Sequence, residues 1–414
     1  MNPTPSQAAA LLRAAPIPAA LREIAQILHD AGHEAVLVGG AVRDVLLGRL
    51  HGDWDLASSA TPEEVQALFK KTIPTGVAHG TVTVVHGRGD NRVHAEVTTF
   101  RGEGRYEDGR RPAEVRFLRD LREDLARRDF TINAFAWNPI REIFTDCFDG
   151  LGDLGRGIIR AVGDPAQRFQ EDGLRAMRAV RLCAVLEYRL DLDTAAAIGG
   201  ALDVLDKVSR ERVHVELFKL LAAARPILGL LPMAETGIWS RVLAPLEREA
   251  QYAAIEHVDR LPRDPVIRLA RLLWPLRADK AVIERVIDNL RPSRDERARV
   301  LALTNPALGP LGHSRDPLEI RRVLAKLGRK YAADAAALHA GEWAQAVTIE
   351  EAIRGAPLAI GELAIGGDDL VREGLATPGP KLGKTLADLL DWVLEDPRRN
   401  TAEQLLAHLR SQAG

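Results

Sequence analysis

The chain has 414 residues, 46% of them apolar and 28% charged, the make-up of a soluble globular protein long enough for roughly two to four domains. A formal net charge of −2 excludes a polybasic chain that holds nucleic acid by bulk charge, so any RNA or DNA contact has to come from local patches. Two cysteines, Cys147 and Cys183, are too few for a disulfide framework or a cysteine-rich zinc site, and no run approaches the ~18 apolar residues of a membrane span.

Residues 1–18 lack a charged segment followed by a long apolar core, and read as a frayed arm leading into a helix, not as a signal peptide. Helical periodicity runs over residues 21–31 and stops at Gly32. The apolar run 36–38 reads as a buried strand, and Gly39-Gly40 lets the backbone turn tightly against a ligand. Residues 41–48 then read as a short helix whose free N–H groups would face an anion, with Arg43 adding charge in its first turn. Asp53 and Asp55 are two apart, so on a strand both carboxylates share a face. Such a pair repels unless a cation lies between, and Mg²⁺ takes oxygen ligands while also binding substrate phosphates. Either feature alone is commonly structural; in this order they point to phosphoryl or nucleotidyl transfer.

Thr61, Pro62 and Glu64 form a helix start with Thr61 as N-cap. Residues 81–85 and 92–100 are β-rich runs joined by a hairpin turn over 87–91. Alternation in the second run puts His94, Glu96 and Thr98 on one face, and Glu96 beside Asp53 and Asp55 would complete a carboxylate triad able to bind metal and polarise a hydroxyl nucleophile. Residues 101–112, rich in Gly, Arg and Asp, read as a mobile loop. A further helix is expected over 121–133, where Arg128 suits a triphosphate and Asp129 and Asn133, four apart, would share a face towards sugar or base. Residues 143–148 read as a short strand.

From about residue 164 onward the pattern is helical, with no strong strand signal after about 162 and no internal repeat. Breaks near 223–226 and 355–357 are boundary candidates. Asp172, Arg175, Arg178 and Arg181 step by three along an expected helix, parallel to an apolar ridge of Leu174, Met177 and Val180. A salt-bridged outer face explains that spacing. A second explanation is base reading: cytosine and adenine each offer an amino donor beside a ring-nitrogen acceptor, which fits an accepting Asp172 and a donating Arg175 and rejects uracil and guanine.

The clusters jointly resemble the class II tRNA nucleotidyltransferase and bacterial poly(A) polymerase family. The likeness runs through residues 38–44, 52–55, 96–101, 127–134, 149–154, 171–178 and 209–216, and more weakly through 366–370, 379–383 and Asn400-Thr401. It implies an α+β fold: a nucleotidyltransferase head with a small mixed sheet (1–155), then all-α neck (156–224), body (225–355) and tail (356–414). By resemblance, Asp53 and Asp55 hold Mg²⁺ with help from Glu96, and Gly39, Gly40, Arg43 and Arg128 bind the nucleotide. Asp172 and Arg175 template the base, with Arg178 and Arg181 in support and contacting phosphate. The implied reaction adds CCA to the 3′ end of tRNA from CTP and ATP in the cytoplasm, without a membrane. An A-only enzyme and a poly(A) polymerase are the alternatives, and a non-catalytic tRNA-binding protein is a third from another class. Against poly(A) synthesis, no Arg/Lys-rich segment follows the Asp-x-Asp pair and no long basic C-terminal extension is present. Loop 101–112 corresponds to the element that helps the switch from C to A. Some relatives carry a metal-dependent phosphohydrolase domain; where they have His-Asp this chain has Trp274-Pro275, so a second metal site is not expected and His257 reads as structural.

Overall fold

The N-terminal segment is a capped helix and not a frayed arm. In α1 (Pro5–Ala14) the Thr4 hydroxyl accepts from the Gln7 N–H and the Gln7 side chain accepts from the Thr4 N–H, a reciprocal cap. Ala8 and Leu12 are fully buried, which anchors the helix. The computed structural model describes residues 3–49, 54–77, 80–102, 117–243, 246–339 and 343–413; Asp53 and most of the expected loop at 101–112 therefore lie outside the described residues.

Two compact units are present, Met1–Leu220 with Leu228–Arg241, and Leu221–Ile227 with Val242–Gly414. The first begins with α1 and α2 (Ala19–Asp30), which buries Leu21, Ile24 and Leu28. It continues through β1 (Ala35–Val38), α3 (Gly40–Leu46), β2 (Asp55–Ser58), α4 (Pro62–Leu68), β3 (Thr72–Gly76), β4 (Thr81–His86) and β5 (Val93–Thr99). Next come α5 (Leu121–Ala126), β6 (Phe135–Asn138), β7 (Ile143–Asp146), α6 (Gly150–Arg156), β8 (Ile158–Ile159), α7 (Pro165–Glu171), α8 (Leu174–Leu186) and β9 (Arg189–Leu190). Helices α9 (Leu192–Gly199), α10 (Leu202–Asp206) and α11 (Arg210–Leu221) follow.

Seven strands form one mixed sheet in the order β3-β4-β5-β2-β1-β6-β7. Only β2 and β5 run parallel; the other neighbours are antiparallel. Val36, Val38, Ala57 and Ala136 pack one face with Phe100 and Leu125. Alternation on β5 is as the sequence predicts: Ala95, Val97 and Thr99 are buried while His94 and Glu96 are exposed. The β4–β5 connection needs glycine at position 87, where φ is +89° and a Cβ would stand 2.2 Å from the Asn91 carbonyl. The expected cap of α4 is present, Thr61 accepting from Glu64 N–H and Glu64 from Thr61 N–H.

The helix expected over 121–133 stops at Ala126. Asp129 turns its carboxylate onto the Phe130 N–H at 2.8 Å, which competes with a helical ladder, and Phe130 bridges Ala161 as extended backbone. Residues Thr131–Asn133 form a single 3₁₀ turn. Strand β6 beyond it is buried at every position, so it carries no alternation to announce it. Strand β9 is a second correction: Arg189 and Leu190 pair in parallel with Ile158 and Ile159, a ladder too short to leave a sequence pattern.

The second unit is helical among its described residues, with a C-terminal core of Leu363, Ile365, Leu370, Leu389, Val393 and Leu405. Trp274 packs edge-on against His339, ring centres 4.8 Å apart, and the Arg277 guanidinium lies 4.8 Å from the same indole. Burial, Arg271 and Arg277 push the His339 imidazole down to about 4. No helix among the described residues is long and apolar enough to cross a membrane.

Candidate active site

A cleft of about 460 Å³ opens in the first unit, lined at one end by Asp55 and Glu96. The parallel register pairs Leu56 with Val97, so one step back along both strands sets Asp55 beside Glu96. Both are exposed, and both offer carboxylate oxygens, the donor type a hard divalent cation takes. Among the described residues no group of three metal-binding side chains assembles; Asp53 lies outside them.

The Gly39-Gly40 turn follows β1 directly and carries two guanidinium groups. Gly39 has φ +77°, and a Cβ there would lie 3.3 Å from Arg128 Nη1; one on Gly40 would lie 3.4 Å from Arg43 Nη2. Glycine thus brings both arginines close to bare backbone. Arg128 Nη2 lies 3.3 Å from Asp124 Oδ2, while its Nε is buried and donates to no described group. Arg43 is buried and donates to Asp44 and to Asn133 Oδ1. Asp129 and Asn133 still meet although no helix joins them, the amide donating to the carboxylate at 3.1 Å.

The remaining wall comes from the α7–α8 junction. Asp172 stands ahead of α8 and not on it, so the four-residue ridge expected from spacing begins only at Arg175. Asp172 Oδ1 accepts from the Leu174 N–H at 3.0 Å, and Oδ2 accepts from Arg212 Nη2 at 2.9 Å. Arg175 donates from Nη1 to Glu171 at 2.5 Å and to the Arg168 carbonyl, and from Nη2 to the Arg127 carbonyl at 2.8 Å. Arg178 grips Asp129 Oδ2 with two N–H groups at 2.7 and 2.5 Å. Arg181, one turn further, stands 2.6 Å from Glu216. Among the described residues every cation lining the cleft is an arginine: 101, 127, 128, 175, 178 and 212.

Burial would raise the Asp129 carboxyl, but Arg178, the Asn133 amide and Arg175 outweigh it and hold the group well below the usual carboxylate range. The same contest lowers Asp124, where Arg127 and Arg128 oppose burial. Asp129 in turn stabilises the charged Arg178. Sequence reasoning missed Asp124, which holds two cleft arginines, and Glu171 as the buried partner of Arg168 and Arg175. Arg212 lies within the 209–216 stretch of the resemblance, which carried no site role for it. The signal available for the two acids was spacing: Asp124 stands three and four residues before Arg127 and Arg128, and Glu171 three after Arg168 and four before Arg175.

Comparison with known proteins shows the family. Residues 35–160 match the family model described as "Poly A polymerase head domain", and 187–248 match "Probable RNA and SrmB- binding site of polymerase A". The CCA-adding enzyme of Lactiplantibacillus plantarum is 37% identical over 398 residues, covering 95% of this chain and 96% of the relative. That of Enterococcus faecalis is 36% identical over 406 residues, covering 96% and 97%. The crystal structure of the Bacillus stearothermophilus CCA-adding enzyme in complex with CTP superposes with a TM-score of 0.74 at 31% identity, covering 96% of this chain and 98% of that one. A Thermotoga maritima CCA-adding enzyme complexed with tRNA_CCA shares the fold at 20% identity, TM-score 0.72, covering 95% of each.

Sheet, glycine turn and paired carboxylates define a nucleotidyltransferase head. The chain belongs to the family of CCA-adding enzymes, the tRNA nucleotidyltransferases, and the poly(A) polymerase and A-only alternatives are not favoured.

Gly173 supplies a test of the α7–α8 wall. A Cβ at this position would stand 2.5 Å from the backbone of Val204 and Leu205, which cannot yield as a side-chain tip would. Gly173→Ala is expected to displace the start of α8 with Asp172, weakening CTP and ATP binding about tenfold, ~1.4 kcal/mol. Titration calorimetry would measure this; unchanged affinity would show that the close approach does not set the site.

Proposed function

We propose that this protein adds C, C and A to the 3′ end of tRNA, with the cleft as a single site that holds either CTP or ATP. The observation that carries the reading is one cleft lined by a carboxylate pair, Asp55 and Glu96, by Arg128, and by an acceptor–donor pair, Asp172 and Arg175, with Arg43 and Arg128 both approaching the Gly39-Gly40 turn. Asp55 and Glu96, with Asp53, would hold Mg²⁺, which when bound polarises the attacking hydroxyl and neutralises triphosphate charge. Arg43 and Arg128 bind the triphosphate; guanidinium geometry suits phosphate oxygens. The tRNA 3′-oxygen forms the new bond to the α-phosphorus, its proton passes to a carboxylate of the Asp55–Glu96 pair, and pyrophosphate leaves with the electrons of the broken P–O bond.

Asp172 accepts the exocyclic amino group of cytosine or adenine, and Arg175 donates to the ring acceptor beside it. The three bonds Arg175 makes inside the protein fix its plane and leave further N–H donors for the base. Helical neck, body and tail segments (156–224, 225–355 and 356–414) hold the acceptor arm by backbone and shape. The free cysteines Cys147 and Cys183 suit a reducing cytoplasm.

The test is extension of three tRNA transcripts ending in the discriminator base, in C and in CC, with Mg²⁺ and with CTP, ATP or both. Addition of CCA followed by a stop is expected. A single A gained only by the CC-ended transcript would make this an A-adding enzyme, and long A tails on generic RNA would make it a poly(A) polymerase.

A further inference from the structure

A chain of hydrogen-bonded side chains runs from Arg178, in the cleft lining, to Arg43 beside Gly40, the groups that the proposed function places at the base and phosphate ends. Arg178 on α8 donates twice to Asp129 Oδ2. Oδ1 of that carboxylate accepts Asn133 Nδ2 at 3.1 Å, and Asn133 Oδ1 accepts Arg43 Nη1 at 2.6 Å. Arg43 then closes on Asp44 through Nε and Nη2, at 2.9 and 2.7 Å, while lying over Gly40. Asp129, Asn133 and Arg43 are all buried.

Asn133 is the one uncharged side chain in this relay. Its amide must turn oxygen to the guanidinium and nitrogen to the carboxylate, because the reverse would oppose donor to donor and acceptor to acceptor. A carboxylate here would face Asp129, and a cation would face Arg43. The 3₁₀ turn that carries it is tied down at both ends, Thr131 N–H to the Arg160 carbonyl at 3.0 Å and Asn133 N–H to the Phe130 carbonyl at 2.9 Å. Its amide is thus committed to two protein partners on opposite sides.

We propose that Asn133 is a positioning residue that couples the base end of the nucleotide site to the phosphate end, a proposal that rests on reading the cleft as the nucleotide site. A base seated against α8 orders Arg178 and Asp129. Through Asn133 that order reaches Arg43, so the guanidinium over the glycine turn is fixed before the phosphates arrive. The coupling is reciprocal, as any equilibrium linkage between two sites must be.

The test uses the full chain in one Mg²⁺ buffer, with cytidine as probe of the base end and tripolyphosphate as probe of the phosphate end. In the wild type, saturating cytidine is expected to tighten tripolyphosphate binding by about fivefold or more. In Asn133→Leu that factor is expected to fall below about twofold, while the affinity for each probe alone changes less. If Asn133→Leu does not fold by circular dichroism, Asp129→Asn breaks the same relay one step earlier and is expected to lose the factor too. A merely structural Asn133 would weaken both probes together and leave the factor intact, which overturns the coupling, as does a wild type with no factor at all. Failure of the wild type to bind CTP would overturn the reading of the cleft along with it; CTP binding with a factor unmoved by either variant overturns the coupling alone.

Discussion

Asp55→Asn is expected to lower the rate of nucleotide addition by at least about three orders of magnitude, some 4 kcal/mol of barrier, with the melting temperature unchanged. The asparagine keeps the volume and one oxygen but removes the negative charge that stands beside Glu96 and would hold a cation with it. Asp55 is exposed at the start of its strand, and a surface change of this kind is expected to stay within about 0.5 kcal/mol of stability. Single-turnover extension of a CC-ended tRNA with ATP measures the rate, and thermal unfolding of the same preparation measures stability. A variant retaining more than a tenth of the wild-type rate would remove Asp55 from the chemistry.

The second large effect is on stability and belongs to Asp124. This carboxylate is 1% exposed and accepts from Arg127 Nε and Nη2 at 3.0 and 2.9 Å, from Arg128 Nη2 at 3.3 Å and from the Arg101 N–H at 3.3 Å. Asp124→Ala leaves two cleft guanidinium groups without their buried counter-charge, a change that costs about 3–5 kcal/mol and lowers the melting temperature by roughly 10 °C in a unit of this size. Differential scanning calorimetry checks it; a melting temperature within about 1 °C of wild type would refute the argument. The pH dependence has a definite sign. The folded carboxyl is depressed, so its contribution is complete above the unfolded value of about 3.9 and is lost as pH falls through the folded one. Asp129 acts in the same direction. Wild-type stability should therefore fall steeply on acidification below about pH 4, and Asp124→Ala should show a shallower acid limb.

What the sequence makes legible is whatever its local grammar enforces. The strand–Gly-Gly–helix order, the Thr61 cap and the alternation on β5 all follow from period and turn chemistry, whereas the neighbourhood of Asp55 and Glu96 depends on the parallel pairing of β2 with β5, which no local pattern announces. Helicity beyond residue 164 is equally plain. The failures occur where tertiary partners override local preference. Residues 127–133 look helical until Asp129 is seen bonding Phe130 and Arg178, and β6 hides because both its faces are buried. Asp172 looks like the first step of a ridge but is the turn before the helix, since only Gly173 fits against Val204 and Leu205. Asp124 and Glu171 escape notice as site residues because two of the arginines they hold, Arg128 and Arg175, are assigned to the ligand in the sequence reading.

The all-arginine lining of the cleft bears on how such an enzyme can be controlled. Arginine keeps its charge throughout the working pH range, whereas a lysine can be neutralised by acylation or by burial. With no lysine among the described residues that line the cleft, lysine acetylation has no direct handle on this site, and alkaline conditions do not drain its attraction for anions. The cationic part of this lining is therefore constant across that range, and what titrates in the cleft is its carboxylates, Asp55, Glu96, Asp129 and Asp172.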